Sequence, residues 1–441
     1  MENLIDLKEF TKNRTLISEI FKKDINEVEI AGWVYDSRAL GKIKFIVLKD
    51  LTGQIQVTAF KNDVSEEVFE LMDKVSRESI LYIKGKIVQS KQAPGGKELV
   101  PSEIKVFAKA EELPIDVTDF SKTELPKRLD YRFLDLHRKK VQAVFKIEST
   151  IMQGYREFMI KEIGANEFVF PSIIGSSSEG GTEMFPLKYF EKNAYLSQSC
   201  QLYKQMVACS MEKAFTIFTV WRAEKHSTVK HLNEARQMDF EMAFADEFVV
   251  MDVLARAIKY IIKKVLEERK TELEELEIKD LVVPEVKYLT FEEVKNILAK
   301  HNVQPEPYDL NTESEKKLGE LFPNTLLMVH DWPYLGRGFY IMPKSGEGDK
   351  RVTRGFDCIY RGMEITSGGQ RVHIPEILEK QLKEKGLNPE NFKSYIDSFR
   401  FGAPPHGGFG LGLERLTMLI LNIANIREVT LFPRDKERLT P

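Results

Sequence analysis

The segment at residues 404–415 reads PPHGGFGLGLER and predicts the architecture around it, because a glycine-dense strand runs directly into an apolar helix. The first turn of that helix carries Glu414 and Arg415. Glycines at 407, 408, 410 and 412 remove the Cβ atoms that would hold a flat ligand away from the backbone. A helix N-terminus and an arginine both favour anions. The segment therefore indicates a phosphate site, with a plain glycine-rich hairpin before a buried helix as the alternative.

The composition of the 441-residue chain is typical of a globular protein with two or three domains, at 42% hydrophobic and 30% charged residues. Its formal net charge of -3 excludes a general polycation but allows a local basic face for an anionic partner. Three cysteines without metal-ligand spacing predict reduced thiols and no zinc site. The N-terminus lacks a targeting pattern and no apolar stretch could span a bilayer, so we expect a cytoplasmic protein that does not bind membranes.

Residues 1–110 are predicted to form a small β-barrel. Alternating apolar residues predict strands at 27–35, 43–50, 54–60, 79–88 and 98–107, with a helix near 64–75. Five short strands with a helix after the third are typical of the oligonucleotide-binding (OB) barrel, and a β-sandwich is the alternative.

Residues 111–140 are predicted to be a hinge, because they contain Pro114 and Pro126. The segment also carries a basic cluster that could face an anionic partner. The cluster consists of Lys127, Arg128, Arg132, His137, Arg138 and Lys139.

Residues 141–441 are predicted to form an α+β domain. Apolar residues at helical spacing predict a first helix from 141 to about 161. Further helices are predicted at 202–211, 249–267, 291–301 and from about Gly412, and strands at 194–196, 215–222, 237–244, 325–330, 338–343 and 355–366. Strands that outnumber the crossovers favour an antiparallel sheet that carries the helices.

Several polar residues of this domain are candidates for a site. A flexible loop at 176–182 could present Glu179 to a ligand, and Gln201 and Lys204 share one face of a predicted helix. Plain surface positions are the alternative for these residues. Arg222 ends an apolar strand, where it is either half of a buried salt bridge or a phosphate clamp.

Two later positions add to this set. Glu364 lies on a predicted strand, and Arg371 follows a predicted Gly-Gly turn. A carboxylate such as Glu364 binds hard cations through oxygen, and Mg²⁺ is the usual cation beside nucleotide phosphates.

Three segments resemble, in order, motifs 1, 2 and 3 of class II aminoacyl-tRNA synthetases: the segment around Pro171, Arg-Ala-Glu at 222–224 with its loop and strand, and GLGLER at 410–415. The barrel is similar to the N-terminal anticodon-binding domain of the aspartate, asparagine and lysine subgroup, so the resemblance covers nearly the whole chain. Within that subgroup, QSCQLYKQ at 198–205 and GGQRVH at 368–373 resemble the signatures of the aspartate-specific enzymes, in their compact archaeal and eukaryotic form.

The resemblance implies that the chain joins L-aspartate to tRNA-Asp with ATP and Mg²⁺, through an aspartyl-adenylate. The substrate carboxylate attacks the α-phosphorus, so the protein aligns the reacting groups and neutralises charge without a side-chain nucleophile. The implied catalytic residues are Arg222, Glu224 and Arg415. The implied ATP contacts are Arg222, Glu224, His231, Glu364, Ser367, Gly412 and Arg415, and the implied Mg²⁺ contacts are Glu364 and Ser367.

Selection of aspartate requires that a second carboxylate be paired. Lys204 and Arg371 are implied to supply two cations for it, and asparagine would leave those cations unpaired. Glu179, Gln201 and Asp239 are implied to hold the ammonium group, with His406 near the substrate. An asparagine-specific enzyme, and a catalytically silent relative that only binds RNA or a protein, are the rivals.

On the barrel, Phe45, Gln56 and Glu98 match residues that stack on and hydrogen-bond the anticodon in the family. Arg38 is a candidate phosphate or base contact, and a core position is the alternative for Phe45. The segment QAPGG at 92–96 resembles relatives that accept both tRNA-Asp and tRNA-Asn, so tRNA-Asn is a possible second substrate.

The resemblance also implies a homodimer, with the helix at 141–161 and Pro171 at the contact. Three positions depart from the family pattern, namely Cys200, Trp221 and Ala235. Ala235 stands where some relatives place an aromatic residue against adenine, so the resemblance does not identify the residue that stacks on adenine in this chain.

Overall fold

The computed structural model describes residues 7–175, 183–225 and 228–441. They form two compact units that divide between Pro114 and Ile115. Among the residues that the structure describes, every helix is too short or too polar to cross a membrane.

The first unit is a closed five-stranded barrel with strand order β1-β2-β3-β5-β4. Its elements are α1 Leu7–Asn13, α2 Ile17–Lys22, β1 Glu27–Leu40, β2 Ile43–Lys49, β3 Gln54–Phe60, α3 Glu66–Lys74, β4 Ile80–Gln89 and β5 Lys97–Ala108. A Cβ atom on Gly32 would overlap the carbonyl oxygen of Lys49, and one on Gly85 would overlap that of Val100. The barrel closes because glycine permits these close strand approaches. The predicted OB-type barrel is confirmed, and the sandwich alternative is wrong.

The second unit is built on an eight-stranded sheet with the order β12-β13-β16-β17-β18-β11-β10-β6. Its eight strands are β6 Asn166–Glu167, β10 Lys213–Trp221, β11 Glu234–Ala243, β12 Glu285–Thr290, β13 Thr325–His330, β16 Gly355–Tyr360, β17 Met363–Gln370 and β18 His406–Gly412. A three-stranded sheet contains β7 Ile173–Ile174, β8 Pro186–Tyr189 and β9 Lys192–Leu196, and a two-stranded sheet contains β14 Pro343–Ser345 and β15 Val352–Thr353. Pairing within the sheet is antiparallel except for β12 with β13 and β10 with β6.

Eleven helices accompany that sheet in the described residues. They are α4 Leu125–Asp130, α5 Arg132–Asp135, α6 Lys139–Phe158, α7 Gln201–Met211, α8 Glu247–Glu268, α9 Lys270–Glu275, α10 Phe291–Lys300, α11 Thr312–Leu321, α12 Pro375–Glu384, α13 Lys393–Arg400 and α14 Leu413–Ile420. Helices α6, α8 and α14 bury their apolar faces against the sheet in one core that includes Ile151, Ile258 and Leu416. The predicted α+β class, with an antiparallel sheet flanked by helices, is confirmed.

Two strand predictions were wrong. Residues 338–343 were predicted as a strand, but they form a turn and an isolated bridge before β14. Residues 355–366 were predicted as one strand, but they make β16 and β17, joined by a turn in which Arg361 and Gly362 have positive φ.

The Gly-Gly pair before Arg371 lies inside β17 and is not the predicted turn. A Cβ atom on Gly368 would lie 2.5 Å from the Phe356 ring and 2.7 Å from the Gly408 carbonyl oxygen. These glycines therefore allow β17 to fit between β16 and β18.

The three arginines of the basic cluster at 127–139 form contacts within the second unit. Asp135 is buried and pairs with Arg128, Arg132 and Arg138 at 2.7–3.3 Å. Arg132 also donates to the carbonyl oxygens of residues 427, 430 and 431. Because Arg128, Arg132 and Arg138 are held by these contacts within the second unit, they are not available to bind an anionic partner.

Candidate active site

A cavity of about 370 Å³ lies in the second unit, on the face of the sheet formed by β11, β17 and β18. Ten of the predicted site residues line it. They are Gln201, Arg222, Glu224, His231, Asp239, Glu364, Ser367, Arg371, Gly412 and Arg415. Lys204 and His406 lie behind the cavity wall, and Glu179 lies outside the described residues.

The floor of the cavity follows the glycines of β18. Gly408, Gly410 and Gly412 stand opposite Glu241, Asp239 and Gln237 of β11. A Cβ atom on Gly408 would overlap the Glu241 carboxylate, one on Gly410 would lie 3.3 Å from Asp239 Oδ1, and one on Gly412 would lie 3.6 Å from the Arg415 side chain. The glycines therefore leave room for functional side chains as well as for a ligand.

Arg222 and Arg415 bring positive charge to one end of this floor. Arg222 follows β10, and its guanidinium lies 4.0 Å from Glu224 with about a third of the side chain exposed. This loose pair contradicts the alternative of a buried structural salt bridge. Asn233 donates to the carbonyl oxygens of both Arg222 and Glu224, which fixes the backbone of the loop.

Arg415 lies in the first turn of α14 and donates to the Glu364 carbonyl oxygen at 2.9 Å. The preceding Glu414 is buried and accepts the backbone N–H of Arg236 with both oxygens at 3.1 Å. Together these contacts connect the start of α14 to β11 and β17, so the backbone of Arg415 is held in place beside the cavity.

Two histidines differ in their placement. His231 lines the cavity and lies 2.7 Å from the Thr228 hydroxyl, and burial followed by the charge of Arg415 lowers its pKa. His406 is fully buried and lies 2.9 Å from Gln205 Nε2, and burial lowers its pKa also. A neutral His406 positions Gln205, which forms a second hydrogen bond with Gln201 and a third with Tyr395.

A buried group of two cations and two carboxylates forms the other end of the cavity. Lys204 donates to Asp239 at 2.5 Å and to the Phe409 carbonyl oxygen at 2.8 Å, and it lies 3.7 Å from Glu241. Arg371 donates to both oxygens of Glu241, at 2.9 and 3.2 Å. We call Lys204, Asp239, Glu241 and Arg371 the charge quartet.

The sequence did not single out Glu241 as a site residue. A carboxylate between Phe240 and Met242 on a buried strand was the available signal, because an unpaired charge there would be costly. That Lys204 and Arg371 supply cations for a substrate carboxylate stays a prediction, to which the structure adds the partners of both residues. Both cations already have carboxylate partners, and the quartet is electrically neutral.

Glu364 and Ser367 face the cavity from β17. Burial, and then the neighbouring Asp357 carboxylate, raise the pKa of Glu364 to about 7. Asp357 lies opposite Ser367 in the β16–β17 pair and is bound through both oxygens by Arg337. Sequence reasoning missed Asp357 and Arg337, although a charged residue in the apolar strand GFDCIY was a usable signal.

Oxygen atoms suited to Mg²⁺ are thus present beside the cavity. In the three described ranges, no group of three or more His, Cys, Asp or Glu residues could enclose a metal ion. This arrangement fits Mg²⁺, which usually binds one or two carboxylates together with substrate phosphates.

The barrel presents a separate polar cluster. Gln56 and Thr58 on β3 both donate to Glu98 on β5, at 2.9 and 2.6 Å. Phe45 is only partly buried and is not a member of the barrel core, which argues against the core alternative. Arg38 is exposed and pairs with Asp36 at 3.1 Å. Thr58 was not predicted, but it stands opposite Phe45 in the β2–β3 pair.

Comparison with known families agrees with this geometry. Residues 124–436 match the model of class II tRNA synthetases (D, K and N), and residues 28–107 match the model of the OB-fold nucleic acid binding domain. The chain belongs to the class II aminoacyl-tRNA synthetases.

Curated relatives of this synthetase are aspartate–tRNA ligases of two kinds. The aspartate–tRNA(Asp/Asn) ligase of Methanopyrus kandleri is 45% identical over 426 residues, which cover 95% of this chain and 97% of the relative. The aspartate–tRNA(Asp) ligase of Pyrococcus horikoshii is also 45% identical, over 440 residues that cover 97% and 100%.

Solved structures similar to this synthetase include both amino-acid specificities. Asparaginyl-tRNA synthetase of Pyrococcus horikoshii with asparaginyl-adenylate matches with a TM-score of 0.91 at 32% identity, over 97% of this chain and 99% of that one. Aspartyl-tRNA synthetase of Entamoeba histolytica matches with a TM-score of 0.87 at 31% identity, over 100% and 95%. The backbone alone therefore does not distinguish aspartate from asparagine specificity, and the cavity residues must do so.

Proposed function

We propose that this synthetase activates L-aspartate with ATP and transfers it to the terminal ribose of tRNA-Asp, releasing pyrophosphate and then AMP. One observation carries the proposal. A single cavity is lined by Arg222 and Arg415 at one end of the glycine floor and by Asp239 and Arg371 at the other. The two arginines at the first end suit the phosphates of ATP, and Asp239 and Arg371 at the other end suit an amino acid. The two substrates would then react between these ends.

The reaction needs alignment and charge neutralisation. Arg222 and Arg415 would bind the phosphates and stabilise the charge that develops at the α-phosphorus. Glu224, His231 and Gly412 would line the nucleotide. Mg²⁺ held by Glu364 and Ser367 would neutralise and orient the phosphates when it is bound.

The charge quartet is proposed to recognise aspartate. Asp239 and Gln201 would hold the ammonium group. Arg371 uses Nε and Nη2 for Glu241, so Nη1 takes no part in that pair and could bind the side-chain carboxylate. Lys204 would add positive charge from behind, and His406 would act through Gln205.

The activation step tests this proposal directly. We expect ATP–pyrophosphate exchange with aspartate and none with asparagine at equal concentration, because Nη1 of Arg371 lies outside the Glu241 pair and is proposed to bind a carboxylate, which the neutral amide of asparagine cannot replace. Exchange with asparagine but not aspartate would overturn the proposed substrate. Wild-type protein that binds tRNA without any exchange would instead support a silent RNA-binding relative.

The barrel is proposed to read the tRNA anticodon. An aromatic residue beside an amide and a carboxylate is a common arrangement for stacking an unpaired base and reading its edge. Phe45 supplies the ring, and Gln56 and Glu98 lie within 2.9 Å of each other on neighbouring strands. Arg38 is a candidate contact to a phosphate.

Replacing Phe45 by alanine is expected to lower the kcat/KM of tRNA charging roughly 10- to 100-fold, since stacking contributes about 1–3 kcal/mol per base. Pyrophosphate exchange should stay unchanged, because the barrel does not form the adenylate. The matched control is Phe107→Ala, which removes another partly exposed ring that packs on Phe10 of the same unit. An equal loss of exchange and charging would make Phe45 a folding residue.

A second candidate function is the charging of tRNA-Asn as well. The segment at 92–96 favours it by its resemblance to relatives that accept both tRNAs, and one curated relative of each kind is 45% identical to this chain. Measuring aspartate transfer to both purified transcripts, in the same preparation used for exchange, decides between the two functions.

A homodimer is also proposed, with α6 and the segment around Pro171 at the contact. Ile160, Val169 and Ile173 support it, because 53%, 96% and 46% of these apolar side chains are exposed near that segment. Light scattering after size exclusion should give twice the mass of one 50.9 kDa chain. Val169→Asp is expected to shift the protein toward the monomer, and an unchanged mass would place the contact elsewhere.

A further inference from the structure

Arg337 is a buried cation at the edge of the cavity. It takes no part in the reaction proposed above. Its two terminal nitrogens donate to the two oxygens of Asp357, at 2.8 and 2.6 Å. Its guanidinium also lies 3.9 Å from the centre of the Trp332 ring and 3.4 Å from the Ser367 hydroxyl. Stacking and bidentate pairing together fix the position of this charge.

The position is chemically important because of the neighbouring oxygens. Asp357 and Ser367 are direct partners across β16 and β17, and Glu364 lies on the same strand as Ser367. These are the carboxylate and hydroxyl oxygens that a magnesium ion would use beside phosphates. Arg337 binds both oxygens of Asp357 and lies near the oxygen of Ser367.

A guanidinium that occupies both oxygens of Asp357 competes with a metal ion for the same lone pairs, and two neighbouring cations repel each other. We propose that Arg337 competes with the metal ion for Asp357, so that it holds the carboxylate in position and weakens metal binding to the free enzyme. This inference rests on the proposed metal site at Glu364 and Ser367. It assigns Arg337 as a positioning residue of that site.

A purely structural salt bridge is the competing explanation. It predicts that loss of Arg337 lowers stability without changing metal affinity. Arg351 provides a matched control, because it also stacks on an aromatic ring and pairs with a carboxylate. Its guanidinium lies 3.6 Å from the centre of the Tyr334 ring and 2.9 Å from Glu384. Neither Arg351 nor Glu384 lines the cavity.

The test measures Mn²⁺ binding by electron paramagnetic resonance on the full-length protein without ATP. Arg337→Met is expected to bind Mn²⁺ roughly tenfold more tightly than the wild type, because a positive charge and a competitor for Asp357 are removed. Arg351→Met should match the wild type. Arg337→Lys keeps the charge but cannot bind both oxygens as a fork, so an intermediate affinity is expected; this variant also decides the question if Arg337→Met does not fold.

Two further results distinguish an error in the proposed metal site from an error in the proposed competition by Arg337. Glu364→Gln should weaken Mn²⁺ binding in both the wild type and the Arg337→Met variant. If Glu364→Gln has no effect, the proposed metal site is wrong. If it weakens binding but Arg337→Met and Arg337→Lys leave the wild-type affinity unchanged or weaker, the metal site stands and the competition by Arg337 is refuted.

Discussion

Replacing Arg415 by alanine is expected to lower the rate of aspartyl-adenylate formation by roughly 10³-fold or more, as for other arginines that stabilise a phosphoryl transition state. The side chain lines the cavity from the first turn of α14 and is held by the Glu364 carbonyl oxygen at 2.9 Å. Alanine removes the charge but leaves the hydrogen bonds from the backbone N–H of Arg236 on β11 to the Glu414 carboxylate. The loss should therefore reside in the chemical step.

The measurement is single-turnover adenylate formation at saturating aspartate with ATP varied. Arg415→Lys should recover only part of the rate, because a lysine keeps the charge without the fork of donors. Arg400→Ala is the control, since Arg400 pairs with Glu379 and Asp397 on α12 and α13 and does not line the cavity. A rate for Arg415→Ala within tenfold of the wild type would remove Arg415 from the proposed phosphate site.

Replacing Lys204 by methionine is expected to abolish aspartate activation. Only 1% of Lys204 is exposed, and its ammonium group neutralises Asp239 and Glu241 at once. Without it the quartet keeps two carboxylates and one cation, so an incoming carboxylate would meet net negative charge. Removing one partner of a buried ion pair also costs about 3–5 kcal/mol of stability.

The effect on stability can be separated from the effect on recognition by a double variant. Lys204→Met with Glu241→Gln leaves Asp239 and Arg371, which are again neutral together, and is expected to recover much of the lost thermal stability but not the exchange activity. Lys213→Met is the control, because Lys213 donates to the Ile163 carbonyl oxygen outside the cavity. Aspartate kinetics unchanged in a folded Lys204→Met protein would refute the proposed role.

The sequence predicted the parts of this protein that are determined locally. The barrel strands are recognisable because buried residues recur at every second position over part of β1, β2 and β3, and the segment at 404–415 contains both a strand and the start of a helix. The prediction of a strand at 338–343 failed. Phe339 instead packs in a cluster with α12 and α13, so its burial comes from tertiary contacts and not from a sheet.

The charge partners could not be predicted because they are distant in sequence. Glu241 and Arg371 are 130 residues apart, and they meet because β18 lies between β11 and the end of β17 and places a glycine opposite Glu241. Arg337 and Asp357 are only 20 residues apart, but they lie on different elements, so their pairing was not visible in the sequence either. The resemblance to a family supplied the residue types of the cavity, whereas the partners of those residues required three-dimensional register.

The glycines of β18 differ in how readily they could be replaced by a residue with a side chain. Gly408, Gly410 and Gly412 span roughly 13 Å at the rise of an extended chain. An added methyl group would overlap the backbone and Glu241 at the first position, lie in tight contact with Asp239 at the second, and fit beside Arg415 at the third. Inherited changes should therefore be excluded most strictly at Gly408, near the proposed amino-acid end of the cavity, and least strictly at Gly412, near the proposed nucleotide end. If the proposed site is correct, one strand separates the residues that choose the amino acid from those that bind ATP.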